Sequence, residues 1–221
     1  MLIVGVRESE VESALGEGSG PELPAGARCP DCGGELGRWG SYRRWARRRE
    51  ETLPLRISRA ICRTCGHTHA LLPSFLFARR TDLAEMILGA LAMAAEGHGH
   101  RPAAARAGIP EATARGWLRR ARRVAARQRA AFWALALELG AVPPRSPPSG
   151  GSPLAALCEA VELAHRAAEE RFGAAAPASV AAFSAAASGG LLLANTDRPF
   201  PGAPGAVRVT PASASDRKER S

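Results

Sequence analysis

The sequence predicts an α+β chain. A small β unit comes first, a three-helix unit second, and then a long or additional C-terminal helix, all between disordered termini. Three observations carry this reading. Leu53, Leu55 and Ile57 alternate with Pro54, Arg56 and Ser58, which is the period of a strand with one covered face. Past residue 80 the period changes, and Leu83, Met86, Ile87, Ala90, Leu91 and Ala94 form one apolar stripe of a helix. Between and beside the strands, the pattern Cys-x-x-Cys-Gly occurs twice, at residues 29–33 and 62–66.

The elements follow in order. Residues 1–27 carry one Arg and five Glu and are glycine-rich, so a flexible acidic lead-in is expected. Residues 28–76 read as short strands, at 36–39, 42–45, 53–61 and 67–72. Residues 77–141 read as three helices. Thr81 or Asp82 caps the first, with Glu85 placed for a capping box and Gly97-His98-Gly99 ending it. A short helix is expected at 102–107, the turn is Gly108-Ile109-Pro110, and a third helix starts near Glu111 and extends toward Leu139. Residues 142–153 hold Pro143, Pro144, Pro147, Pro148 and Pro153 with Gly150-Gly151, the composition of a linker. Residues 154–194 form an alanine-rich helical segment, with helical spacing clear only as far as Phe172. Residues 195–221 are Pro-, Ser- and charge-rich and are expected to be a disordered tail.

The paired cysteines point to a metal. Two residues between thiols let one tight turn aim both sulfurs at a tetrahedral ion, and the following glycine permits the positive φ such a turn requires. Cys29, Cys32, Cys62 and Cys65 are therefore expected to hold one structural Zn2+ in a zinc ribbon, with no open coordination position for catalysis. Redox dithiols are the competing reading. His67 or His69 could replace one thiolate, but four cysteines already complete the set, and Cys158 reads as a helix-face core residue.

Charge is concentrated. The chain has a formal net charge of +9, but residues 28–129 hold 21 Arg against 8 Asp and Glu, while residues 130–221 balance. Lys218 is the only lysine, as in a GC-rich bacterial genome, yet codon bias would not gather the excess in one segment. A local basic field implies a polyanionic partner. In residues 101–123, Ala104 and Ala105 allow close helix packing, Gly108 serves the turn, and Ala114, Trp117, Leu118 and Ala121 form an inward stripe. This is the pattern of a helix-turn-helix. Thr113 and Arg115 lie early in its third helix, where base edges are reached; Arg119, Arg120, Arg122 and Arg123 lie further along, where phosphates are. Arg43, Arg44, Arg47, Arg48 and Arg49, interleaved with Tyr42 and Trp45, form a second basic patch. It reads equally as a solvated hairpin or as a clamp on nucleic acid.

The order of motifs resembles a family of uncharacterised bacterial zinc-ribbon proteins. The resemblance rests on the CxxCG ribbon, the strand I-x-R-x-x-C-x-x-C-G-x-T-H-A-L-L-P and the helix-turn-helix A-A-A-R-A-G-I-P-x-x-T-x-R-G-W-L-R-R. That family is similar in turn to the N-terminal DNA-binding part of insertion-sequence transposases. The resemblance spans residues 28–129. It implies zinc on the four cysteines and a recognition helix containing Thr113, Arg115 and Trp117. The carboxylates of a transposase nuclease are not matched. The four aspartates are Asp31, Asp82, Asp197 and Asp216, and Glu159, Glu162, Glu169 and Glu170 share one helix.

The expected function is DNA binding without a nuclease or other enzymatic activity, either regulatory or transposase-derived. Double-stranded DNA is the expected partner. A zinc-ribbon RNA-binding or ribosome-associated protein and a protein–protein adaptor are the alternatives. No signal-peptide flank and no apolar run of about 18–20 residues occur, so the expected location is cytoplasmic and nucleoid-associated, without a membrane. The oligomeric state is left open.

Overall fold

The computed structural model describes residues 2–5, 11, 14, 15, 20–142 and 151–194. Four strands form one sheet in the order β1-β4-β3-β2. They are β1 (Leu2–Val4), β2 (Leu36–Arg48), β3 (Glu51–Cys62) and β4 (Thr68–Pro73). β2 and β3 make an antiparallel hairpin running from Leu36↔Cys62 to Arg48↔Glu51. The two strands expected at 36–39 and 42–45 are one strand, because a bulge absorbs the break. The register slips between Arg38 and Gly40, and Gly40 takes a φ of 148° that favours glycine. Arg49 takes the first turn position at φ 56°, where hairpins usually place glycine or asparagine. β1 pairs in parallel with β4, Leu2 opposite Leu71, so residues 2–4 of the expected lead-in are part of the sheet.

The pleat divides the sheet into two faces. Leu55, Ile57 and Leu72 face the helices, and Ala46 joins them from β2. Leu36, Ala60, Cys62 and Leu71 face the other way and, with Cys29, make a small separate cluster. Leu2, Val4, Leu23 and Ala27 cover it in part.

The helices are α1 (Ala84–Ala95), α2 (His100–Ala107), α3 (Glu111–Glu138), α4 (Pro153–Phe172) and α5 (Val180–Ala187). The expected capping box on α1 does not form. Leu83 occupies the N-cap without a side-chain bond, and Ala84 N–H donates instead to the Phe75 carbonyl at 2.8 Å. Asp82 is taken elsewhere, by Arg47. α2 begins two residues before its expected start and ends on Gly108 at φ 64°, ψ 42°. Ala103 and Ala104 are its buried residues, whereas Ala105 faces solvent, so the close approach lies one residue earlier than expected. Ser152 and Ser179 cap α4 and α5, accepting from Ala155 N–H and Ala182 N–H.

One core joins the sheet to every helix. α3 is 28 residues long, about 42 Å. Its first half packs against α1 and α2 through Ala114, Trp117, Leu118 and Ala121; its second half packs against α4. Phe132 is fully buried, with its ring 6.2 Å from that of the equally buried Phe183 of α5. Each such phenylalanine contributes about 1.5–3 kcal/mol. The segment 154–194, on the far side of the proline-rich stretch, thus completes the same core as the helix-turn-helix. Most of that stretch (143–150) and the expected tail (195–221) lie outside the described residues. No described helix is long and apolar enough to cross a membrane.

Candidate metal centre and nucleic-acid interface

The two cysteine turns are built alike. Gly33 N–H donates to the Cys29 carbonyl at 2.8 Å, and Gly66 N–H to the Cys62 carbonyl at 3.0 Å. Both glycines sit at φ 73°. Cys29 N–H closes onto the Gly34 carbonyl, and Cys62 N–H onto the His67 carbonyl. The first turn leads into β2 and the second follows β3, so the hairpin register that pairs Leu36 with Cys62 brings the turns together.

The four thiols meet. All four sulfurs lie within 4.8 Å of one another, with Cys29 to Cys65 at 3.7 Å and Cys32 to Cys62 at 3.4 Å. A tetrahedral ion with metal–sulfur bonds of about 2.3 Å needs edges of about 3.8 Å. Cys29 and Cys62 are buried, Cys32 and Cys65 exposed. The backbone N–H groups of Cys65 and Thr64 point at the Cys62 sulfur, 3.5 and 3.4 Å away, and pull its thiol down to about 6. Cys65 goes the other way. The His67 backbone N–H lowers it, but burial and the sulfurs of Cys32, Cys62 and Cys29 outweigh that and push it up to about 12. Four thiolates so close repel unless a cation is shared among them. The four cysteines could therefore hold a metal ion.

The histidines play supporting parts. His67 Nδ1 donates to Asp31 Oδ2 at 2.7 Å and holds that carboxyl below its usual range, tying the second turn to the first. His69 is buried, with Nε2 3.3 Å from Cys29 Sγ. Cys158 lies on α4 away from the cluster, half-buried against the core, and burial pushes its thiol up to about 11.

Residues 29–117 match a family described as a domain of unknown function (DUF6431). The match opens on the first cysteine of the cluster and closes on Trp117 of α3, so it takes in both cysteine turns and the start of the third helix. No curated protein and no solved structure matches the chain.

The sequence-derived arginines separate into two groups. On α3, Arg115, Arg119, Arg122 and Arg123 are exposed, opposite the buried stripe of Ala114, Trp117, Leu118 and Ala121. Thr113 and Arg120 are half-buried. Of Arg43, Arg44 and Arg47 on β2, Arg43 alone is exposed. Arg47 Nε reaches Asp82 Oδ1 at 2.6 Å, and that carboxylate is buried. The backbone reinforces the join, Arg47 N–H donating to the Thr81 carbonyl at 2.7 Å and Leu83 N–H to the Arg47 carbonyl at 3.1 Å. Arg44 is half-buried and donates to the Arg80 carbonyl, and burial lowers its pKa.

Sequence reasoning missed two residues here. Asp82 appeared as a cap, and no local signal shows that its partner lies 35 positions earlier. Arg80 is half-buried, its Nε has no partner among the described residues, and its pKa is lowered by burial and then by the nearby charge of Arg120. It links the hairpin, through Arg44, to the Leu193 carbonyl beyond α5.

Proposed function

We infer that this chain is a DNA-binding protein braced by one structural zinc ion, a regulator or a transposase-derived binder without a nuclease. The observation that carries the reading is the exposed arginine face of α3, set behind a three-residue glycine turn and opposite a buried stripe. A helix held this way presents its N-terminal half to a major groove. Thr113 and Arg115 are the residues for base edges; Arg119, Arg120, Arg122 and Arg123 are those for phosphates. Zinc is favoured over other metals by an all-thiolate tetrahedral set. Its part is to fix the hairpin, whose Arg47 and Arg44 in turn hold the segment leading into α1.

The test is duplex binding by fluorescence anisotropy across a salt series. Wild-type affinity should fall steeply with salt, and each phosphate-contacting arginine removed should reduce the logarithmic slope by about 0.9. Arg115→Ala should relax sequence preference in a selection from random duplexes. A variant lacking Arg115, Arg119 and Arg120 that binds like wild type overturns the assignment. Elemental analysis should find one zinc per chain in protein purified without chelator.

A further inference from the structure

We propose that the outward face of the β2–β3 hairpin is a second site, which takes single-stranded DNA by stacking bases on Trp39 and Trp45. Two of the exposed large apolar side chains among the described residues, Trp39 at 57% and Trp45 at 56% exposure, belong to β2; Tyr42, at 41%, stands opposite Ile57 and so belongs to the other face. Trp117, by contrast, is buried. Trp39 stands at the bulge, and Trp45 lies six residues on, about 20 Å along the strand. Between them Arg43 lies directly opposite Arg56 on β3. Like charges in that position destabilise a sheet. Among the described residues no carboxylate is paired with either: Arg56 reaches the Ser41 hydroxyl, at 3.0 Å, and the outward residues from Thr52 to Ser58 include no acid. An anion from outside would relieve the repulsion.

A polyanion with flat bases meets both demands. Aromatic faces stack any base, and adjacent arginines hold the intervening phosphates. The site is separate from α3. Residues of this face alternate with Arg44, whose side chain turns to the other side of β2 and bonds the Arg80 carbonyl. The choice of DNA over RNA rests on the proposed function; the stacking face itself does not.

The experiment uses the full-length, metal-loaded chain at low salt. Labelled oligothymidine and oligouridine of about 20 nucleotides and a duplex of equal length are compared by anisotropy. Trp39→Ala/Trp45→Ala should weaken oligothymidine binding at least tenfold and leave duplex binding within about twofold. Arg43→Gln/Arg56→Gln should do the same with a shallower salt slope. Oligothymidine should also quench the tryptophan fluorescence of the wild type, a readout that needs no variant. Unchanged oligothymidine affinity in both variants, equal loss of duplex binding, tighter binding of oligouridine, or no quenching each overturns the proposal. Loss of duplex binding alone in the α3 variants leaves it standing, so the two readings fail separately.

Discussion

Strand β2 and the first half of α3 are equally rich in arginine. β2 carries Arg38, Arg43, Arg44, Arg47 and Arg48 in 13 residues. A window of equal length at the start of α3, residues 111–123, carries Arg115, Arg119, Arg120, Arg122 and Arg123. Their fates differ. On β2, Arg44 and Arg47 are drawn into joins with Arg80 and Asp82. On α3 four of the five stand in solvent and the fifth, Arg120, is half-buried. The cause is geometric. A strand sends alternate side chains to opposite faces, which turns Arg44 toward the helix side, and β2 is the edge of the sheet, so Arg47 reaches sideways to the segment 81–83 that pairs with it. A helix with its apolar stripe satisfied can keep its arginines outside. Equal charge density therefore leaves part of the charge tied into the scaffold in one region and nearly all of it in solvent in the other.

The sharpest way to break this comparison is to remove the proposed zinc. Cys62→Ser, or chelation, should unfold the hairpin, since a structural zinc there would supply about 10–16 kcal/mol, as in small zinc domains, comparable to the whole stability of a domain. Loss of the far-ultraviolet strand signal and a fall in duplex binding should occur together; an unchanged spectrum after verified metal loss would refute a structural role.

Next is Arg47. Replacing it with Met strands the buried Asp82 carboxylate and should cost about 3 kcal/mol in urea unfolding. Arg47→Met/Asp82→Leu should recover most of that, because an apolar pair leaves no buried charge. Arg119→Ala on α3 should leave the unfolding midpoint unmoved while weakening duplex binding. If the two arginines exchanged these effects, the division between scaffold and contact would collapse.

A smaller effect belongs to the turn. Gly108 sits at φ 64°, and a Cβ there would stand 3.2 Å from Arg49 Cβ at the hairpin tip. Gly108→Ala should cost about 1–2 kcal/mol, read as a lowered thermal midpoint. Smallest of all is the exposed Arg48–Glu51 pair at 3.4 Å. Glu51→Gln should change stability by less than about 0.5 kcal/mol, and a larger loss would show that the tip carries more of the docking than Arg47 does.

The local parts of this molecule were readable from sequence, and the reasons are local. Cys29, Cys32, Cys62 and Cys65 announced themselves because each turn is built from five consecutive residues. The buried stripe of α3 followed from its 3.6-residue period, and Gly108 from its place between two helical patterns. The hairpin was seen as fragments because a bulge at Trp39 disrupts the alternation that marks a strand. The N-terminal strand was hidden because three residues, Leu2 to Val4, give too short a pattern to register.

By itself, then, the sequence determined the cysteine turns, the helix-turn-helix spacing and the concentration of positive charge, all properties of neighbouring residues. Tertiary structure alone decided which arginines face inward, that Asp82 answers Arg47 instead of capping α1, and that residues 154–194 finish the core begun by the sheet. Those outcomes depend on segments 35 to more than 100 positions apart meeting in space. No local pattern encodes such a meeting, since the free energy that selects it comes from burial and pairing of the assembled whole.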